Sequence, residues 1–391
     1  MLKTHPKRPD HPDCSSARRS GRDVVTICDE DPVLRLITIA LRGARLDDES
    51  WLSEYFSPES VTVHELEAIR RRRGIVEVDV RTPGQARAHA LRDEAHGEAV
   101  YGDKKPGDTK DLAHFSAGSN ILISRRAHID AAVLASSPDL RQINQLGSDP
   151  GGVDAAAVRR AGVRLNCVDR PTLAVTAEHA ILLMLAAAKS IVEADQGVRR
   201  GAWDRDRVFP LNGVAYNWLG MSNLGGLYGR TIGLIGLGQV GLLVAERLRP
   251  FGAHVLYTKP HRLPEMREKQ LGVHYVPMDE LLRSSDIVSL HARWTPGTEK
   301  MMDSRAFSLF KKGAIFVNTS RGALVDEDAL ADALESCKLG FAALDTHAAE
   351  PRDRNSRLVG IRNTILTPHI AGGSRRGMMA EVDAMLDGIL T

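Results

Sequence analysis

The clearest chemistry in the chain lies in Gly236-Leu237-Gly238-Gln239-Val240-Gly241. These residues follow an apolar run, Thr231–Ile235, and open a helical stretch, Leu242–Leu248. In that setting a G-x-G-x-x-G string suits a dinucleotide. Gly236 permits the tight turn, Gly238 lets backbone approach a pyrophosphate, and Gly241 lets helix and strand pack closely. The phosphates then sit on the helix N-terminus, where N–H groups and the dipole favour an anion. The next β-rich run, His254–Thr258, leads into Lys259-Pro260-His261-Arg262 without an Asp or Glu. A carboxylate there would bond a ribose hydroxyl and repel a 2′-phosphate. Lys259, His261 and Arg262 suit the phosphate instead, so NADP(H) is expected over NAD(H).

Three more polar motifs stand at the ends of β-rich runs, where open α/β sheets bind ligands. They are Asn318-Thr319-Ser320-Arg321-Gly322, Asp345 through Ala349-Glu350-Pro351, and Thr367-Pro368-His369. The elements that must position them alternate regularly from Arg230 onward. Thr231–Ile235, His254–Thr258, Asp286–Leu290, Ala314–Asn318, Phe341–Leu344 and Thr364–Leu366 read as strands. Leu242–Arg249, Glu280–Arg283, Ser304–Phe310 and Glu327–Ser336 read as helices between them. Such alternation implies right-handed βαβ units and a parallel sheet.

Upstream, Val24–Cys28, Ile121–Ile123, Leu140–Leu146 and Val163–Asn166 read as strands, with helices over Val33–Leu41, His128–Ser136 and Asp154–Arg160. Thr176–Lys189 is a helix apolar on most faces and is expected to be buried. Residues 81–118 read as a long loop or insertion, 200–228 as irregular, and Arg376–Ile389 as a closing helix.

Together the four motifs resemble the D-isomer-specific 2-hydroxyacid dehydrogenases, a family that includes phosphoglycerate dehydrogenases, glyoxylate/hydroxypyruvate reductases and formate dehydrogenase. The resemblance runs from about Ile121 to the end and is strongest from Arg230. It implies an α/β fold of two doubly wound parallel-sheet domains. A Rossmann NAD(P)-binding domain (206–370) would be inserted in a flavodoxin-like substrate domain (24–205 and 371–391), after a disordered tail (1–23). It also implies hydride transfer to or from C2 of a small 2-keto or D-2-hydroxy acid. The family's catalytic residues fall on Arg321, Glu350 and His369. A guanidinium fork can orient the acid and polarise its carbonyl. An imidazole can give the developing alkoxide a proton or take one back. A neighbouring carboxylate holds the imidazole's tautomer and favours its protonated form.

Other positions carry over from the family. Gln239 and Val240 would meet the pyrophosphate through backbone, and Thr319, Asp345 and His291 (or Ala292) would lie by the nicotinamide. Ser124, Arg125, Gly147 and Ser148 would face the substrate. The loop Gly147–Gly152 is about two residues longer than usual and contains Pro150, which removes a donor. Tyr257–Glu265 and Leu146–Asp149 are similar to formate dehydrogenases. Those enzymes carry glutamine where this chain has Glu350, so the carboxylate favours hydroxy-acid chemistry. A formate- or phosphite-type dehydrogenase and a dinucleotide-sensing, corepressor-like binding protein remain alternatives. The basic N-terminal segment and the run Arg70–Arg73 are what the sensor reading rests on.

Composition sets outer bounds. The chain of 391 residues is 43% hydrophobic and 26% charged, with a net charge of +2, so nothing calls for nucleic acid or membrane as a partner. No apolar run approaches a membrane span. The four cysteines are scattered without a CxxC pair, which suits a cytoplasmic location and no metal site. The family implies a homodimer. Arg70–Arg73 read most simply as the solvated end of a helix.

Overall fold

A computed structural model describes residues 23–27, 32–42, 63–73, 75, 78–81, 112–114, 116–125, 127–201, 216–222, 224–373 and 375–390. The expected tail (apart from Asp23) and most of the 81–118 segment lie outside the described residues, as do Cys28 and residues 202–215. The chain forms two compact units, one of residues up to Asp169 together with those from Glu381, the other Arg170–Ala380.

The first unit holds a parallel sheet of β1 (Asp23–Ile27), β2 (Val78–Arg81), β3 (Ile121–Ser124), β4 (Gln142–Leu146) and β5 (Arg164–Val168). Their order is β2-β1-β3-β4-β5, the doubly wound order of flavodoxin-like domains. Helices Pro32–Arg42, Val63–Arg72, Ala131–Ala135 and Ala155–Arg160 connect or flank the strands. Asp130 and Asp154 cap the last two, each carboxylate accepting two backbone N–H bonds. Arg70–Arg72 form the final turn of Val63–Arg72, as expected of a basic run. They are not simply solvated, however. Arg72 and Arg73 pair with Asp383, and Arg73 also with Asp387, of the closing helix Arg375–Leu390.

In the second unit lie β6 (Thr231–Ile235), β7 (His254–Thr258), β8 (Val273–Tyr275), β9 (Ile287–Leu290), β10 (Ala314–Asn318), β11 (Leu339–Leu344) and β12 (Thr364–Leu366). All are parallel, in the order β12-β11-β10-β9-β6-β7-β8. Counted within the unit this is the Rossmann order 3-2-1-4-5-6 with one further strand. Alternation along each strand explains why helices cover both faces. In β10, Ile315 and Val317 join one core with Val244 and Leu248, while Ala314 and Phe316 join the other with Phe307, Phe310 and Leu330. Three edge-to-face or tilted contacts link Phe307, Phe310 and Phe316 at centroid distances of 5.5–6.1 Å.

The unit boundaries differ from those drawn on the sequence. Helix Pro171–Ala188 belongs to the second unit because Ala177, Ala180, Ile181, Met184 and Ala187 share a core with Ile232 and Leu234 of β6. Contrary to expectation, this helix is long and apolar enough to cross a membrane by length and composition. Its apolarity is accounted for by that core. At the C-terminal boundary, residues from Glu381 on join the first unit, where the Met385 carbonyl accepts from Asn144 Nδ2 at 3.3 Å.

Candidate active site

The strand order reverses between β6 and β9, the place where such sheets leave a crevice for a nucleotide. Gly236 leaves β6 with φ +93°, and a Cβ there would lie 2.6 Å from the Ala292 nitrogen. Only glycine fits. A Cβ on Gly241 would lie 2.5 Å from the Gly236 carbonyl oxygen, so the third glycine is also required. Gly238 has nothing within 4 Å of its Cβ position, which leaves backbone approachable there. It N-caps helix Gln239–Leu248, whose first turn has no side-chain cap. The helix thus starts inside the glycine motif, at Gln239 and Val240, and presents an N-terminus suited to an anion.

Lys259, just beyond β7, donates from Nζ to the Leu237 carbonyl at 3.3 Å, beside the glycine loop. Arg262 is differently placed. Its guanidinium forks onto Glu268, Nε to Oε1 at 2.9 Å and Nη2 to Oε2 at 2.8 Å. Tyr257 Oη donates to the same carboxylate at 2.6 Å. Those bonds from Arg262 and Tyr257 hold the buried Glu268 carboxyl down at about 2, and burial together with Glu268 pushes the Tyr257 hydroxyl up to about 12. Arg262 therefore first neutralises a buried charge. Of the three expected phosphate ligands, Lys259 is the one whose side chain bonds the glycine loop.

At the end of β9, the His291 N–H donates to the Ile235 carbonyl at 2.7 Å. Its Nε2 is buried and finds no partner among the described residues, and burial pushes the ring down to about 4. Thr319 Oγ1, at the end of β10, is equally buried without a described partner. Buried polar atoms rarely stay unpaired, so these two fit the polar groups of a dinucleotide lying along the strand ends.

The Arg321 loop is fixed by Asn318, whose Nδ2 donates to the Arg321 carbonyl at 3.0 Å and whose Oδ1 accepts from Ser320 N–H at 2.9 Å. Ser320 Oγ donates to the Ala292 carbonyl at 2.6 Å, joining this loop to the one after β9. Arg321 itself is exposed. Gly322 touches the segment after β11 so closely that a Cβ would lie 1.9 Å from the His347 carbonyl carbon.

His369 Nδ1 lies 2.7 Å from Glu350 Oε2, and Glu350 Oε1 accepts the His347 N–H at 2.9 Å. Partial burial works against the Glu350 charge, but the bonds from His369 and His347 outweigh it and hold the carboxyl below its ordinary range. His369 has φ +55°, a left-handed conformation uncommon outside glycine. Asp345 secures the loop that carries it. This buried carboxylate accepts from Thr367 Oγ1 at 2.6 Å, Ile370 N–H at 2.9 Å and Ala371 N–H at 2.8 Å, with His179 Nε2 at 3.5 Å. Both its oxygens bond the protein, so Asp345 positions the His369 loop.

Burial raises the cost of charging Asp345, yet bonds from His179, Thr367 and the two backbone amides hold it at about 2 against an ordinary 3.8. A group depressed on folding stabilises the fold above its ordinary value, and that stability is lost as pH falls through the interval between the two values. The shift corresponds to about 2 kcal/mol. Asp345→Asn is therefore expected to lower stability at neutral pH by at least that much and to flatten the acid limb between about pH 4 and pH 2. Superimposable denaturation midpoints for variant and parent across that range would refute the assignment.

In the first unit, Ser124 is buried at the end of β3 and Gly147 at the end of β4, with Arg125 and the exposed Ser148 next to them. β3 and β4 pair in parallel with Ser124 opposite Gln145, so these residues gather at the C-terminal ends of the central strands. Gln145 Nε2 donates to the Arg125 carbonyl at 2.8 Å, and the Gly147 N–H to the Val168 carbonyl at 2.9 Å. Asp149 Oδ1 accepts from Gly151 N–H at 2.9 Å, a turn that shapes the lengthened loop. Among the described residues no group of three His, Cys, Asp or Glu side chains is placed to hold a metal ion.

Sequence reasoning missed the residues that support the site: Asn318, His179, Thr367, His347, Arg352 and Glu327. Asn318, His347 and Thr367 lie within recognised motifs, and their side chains were the available signal. The others are brought in by packing, and no spacing marks them.

Comparisons with known proteins point to one family. Residues 181–371 match the family model of the D-isomer specific 2-hydroxyacid dehydrogenase NAD binding domain. The chain is 36% identical over 292 residues to D-3-phosphoglycerate dehydrogenase of Mycobacterium leprae (strain TN), covering 74% of this chain and 51% of that protein. It is 36% identical over 296 residues to glyoxylate reductase of Korarchaeum cryptofilum (strain OPF8), covering 74% of this chain and 86% of that protein. It thus spans about half the length of the first and most of the second. Among solved structures, the holo form of Rhodotorula graminis D-mandelate dehydrogenase superposes with a TM-score of 0.57 at 21% identity, covering 94% of this chain and 93% of that one. That likeness concerns the fold.

Proposed function

The chain belongs to the D-isomer specific 2-hydroxyacid dehydrogenase family, and from that premise we propose that it transfers a hydride between NADP(H) and C2 of a small 2-keto or D-2-hydroxy acid. The observation that carries the reading is the 2.7 Å pair of Glu350 and His369, tied through His347 to the Arg321 loop. Bound, the nicotinamide supplies or accepts the hydride. Arg321 forks onto the acid's carboxylate and carbonyl, orienting C2 and drawing charge towards the oxygen. His369 commits Nδ1 to Glu350, which leaves Nε2 to protonate the developing alkoxide on reduction and to take the proton back on oxidation. Glu350, a carboxylate rather than the amide of formate dehydrogenases, favours this chemistry over oxidation of formate.

The second unit takes the nucleotide. Gly236, Gly238, Gln239, Val240 and Gly241 receive the pyrophosphate, and His291 and Thr319 offer their buried polar atoms to the nicotinamide end. The first unit is the substrate domain, with Ser124, Arg125, Gly147 and Ser148 facing the acid. A homodimer is supported by helix Ile191–Arg200, which buries none of its residues and exposes Ile191, Val192 and Val198, as Leu182 does on the preceding helix. Cys167 and Cys337 are free, which suits a cytoplasmic setting.

The NADP(H) preference rests on Lys259 beside the glycine loop and on the lack of a carboxylate at the end of β7. Lys259→Asp is expected to move the NADPH:NADH ratio of kcat/KM towards NADH by roughly tenfold, about 1.4 kcal/mol. Arg262 is left in place, since its loss would strand the buried Glu268 charge. An unchanged ratio would remove Lys259 from the phosphate site.

The overall reading is tested by following reduced-nicotinamide absorbance with NADPH and NADH over glyoxylate, hydroxypyruvate, pyruvate, phenylpyruvate and 3-phosphohydroxypyruvate. Oxidation by one of them establishes the reaction and names the cofactor. Silence across the panel, with cofactor binding retained, would overturn it in favour of a formate- or phosphite-type dehydrogenase or a sensor.

A further inference from the structure

We propose that His347 is a positioning residue that locks the three reaction loops together, and that Glu327 and Arg352 exist in this fold to hold its ring in one tautomer. The proposal rests on the functional reading above. His347 stands just after β11 and is 9% exposed. Its backbone N–H donates to Glu350 Oε1 at 2.9 Å. Its backbone carbonyl lies against Gly322, next to Arg321, where a Cβ would come within 1.9 Å. Its ring Nε2 lies 2.9 Å from the Thr367 carbonyl oxygen, within the loop that carries His369. One residue therefore touches the loops of Arg321, Glu350 and His369.

The ring's protonation is dictated from both sides. A carbonyl only accepts, so Nε2 carries the proton. A guanidinium only donates, so Nδ1 must accept from Arg352, whose Nη2 and Nε lie 2.7 Å and 3.1 Å away. Arg352 is held in turn by Glu327, Nη1 to Oε2 at 2.9 Å and Nη2 to Oε1 at 2.6 Å, and donates to Ser356 Oγ at 2.8 Å. Glu327 Oε1 also accepts the Ala348 N–H at 2.9 Å, closing the network back onto the His347 segment. A bidentate ion pair so little exposed (side chains 11% and 20%) fixes the guanidinium against the ring.

The loop needs such a lock because His369 sits at φ +55°, which a histidine keeps only where its surroundings over-determine it. Thr367 is anchored at its N–H by the Leu344 carbonyl and at Oγ1 by Asp345. The His369 N–H bonds the Thr367 carbonyl at 3.0 Å, the same oxygen that the His347 ring holds. Releasing that ring frees the carbonyl on which the His369 backbone turns, and the imidazole drifts from Glu350.

The test compares His347→Phe, which keeps a ring and the backbone N–H but loses the bonds at both ring nitrogens, with His347→Gln. The glutamine amide nitrogen can donate to Thr367 and its oxygen can accept from Arg352. With the keto acid the parent enzyme prefers, His347→Phe should lower kcat by about 10- to 100-fold, with NADPH affinity within about twofold of the parent. His347→Gln should recover most of that loss, which a merely space-filling role would not allow. Equal losses in both variants, or an unchanged kcat in His347→Phe, would overturn the proposal. Should the Phe variant fail to fold, Arg352→Met paired with Glu327→Gln, which removes the donors to Nδ1 without leaving a carboxylate unpaired, must lower kcat with cofactor binding intact. Nitrogen-15 spectra of histidine-labelled parent protein add a readout independent of turnover: a proton on Nε2 and a bare Nδ1 are expected for His347, and a proton on Nδ1 would also overturn it. If the parent turns over no keto acid, the functional reading fails, whereas the spectra still judge the tautomer.

Discussion

Replacing His369 by alanine is expected to abolish most turnover, lowering kcat by about 10²- to 10⁴-fold, the range that a single acid/base group supplies. The expectation follows from how the ring is held. Nδ1 is committed to Glu350 at 2.7 Å, so one nitrogen is fixed and the other is left to exchange the substrate proton. His369 belongs to the loop after β12, whereas the helix N-terminus expected to take the pyrophosphate begins at Gln239. NADPH affinity should therefore change little. A matched pair of experiments, steady-state kinetics and fluorescence titration with NADPH, separates the two effects. Retained turnover would mean that the proton comes from another group. A parallel loss of NADPH binding would mean that the substitution has unsettled the strand-end loops as a whole.

Arg321→Ala should be nearly as damaging, but with a different signature. The guanidinium is read as gripping the acid itself, so both KM and kcat should suffer. Two charge-assisted hydrogen bonds are worth about 3–6 kcal/mol together, or roughly 10²- to 10⁴-fold in kcat/KM. Arg321→Lys keeps the charge and loses the planar fork, and it should recover only part of the activity. Asn318 holds the loop through the Arg321 backbone carbonyl, so truncating the side chain should leave the loop in place. Unchanged kinetics in the alanine variant would remove Arg321 from the reaction centre.

How much of this was legible in the sequence depended on whether a residue's role is local. Glycines required by close backbone approach can be read from their motif, as at Gly236 and Gly241, because turn and helix start are made by neighbours in the chain. The strands of the second sheet were legible for a similar reason. They are apolar on both faces, and Ala314–Asn318 is an example. β8, three residues long, offers no period to detect, and helix Ile191–Arg200 has an apolar face without a described core to match. Most opaque were partnerships between side chains. The sequence does not show that Arg262, expected at the phosphate, forks onto Glu268, one helical turn into the next element. Nor does it show that Asp345, expected beside the nicotinamide, bonds Thr367, Ile370 and Ala371. Hydropathy carries no information on which carboxylate a cation will meet.

The division of the chain at Asp169 and Ala380 has a further consequence, for the order in which the molecule is made. The second unit is continuous, so every strand of its sheet is available once Ala380 has been synthesised. The first unit is not. Asn144 waits for the Met385 carbonyl, and Arg72 and Arg73 wait for Asp383 and Asp387, all translated after the entire nucleotide sheet. Domains usually mature from the N-terminus as the ribosome advances. Here the part of the first unit that precedes Arg170 is completed only by residues translated after the second, and its buried surface stays unfinished until helix Arg375–Leu390 arrives.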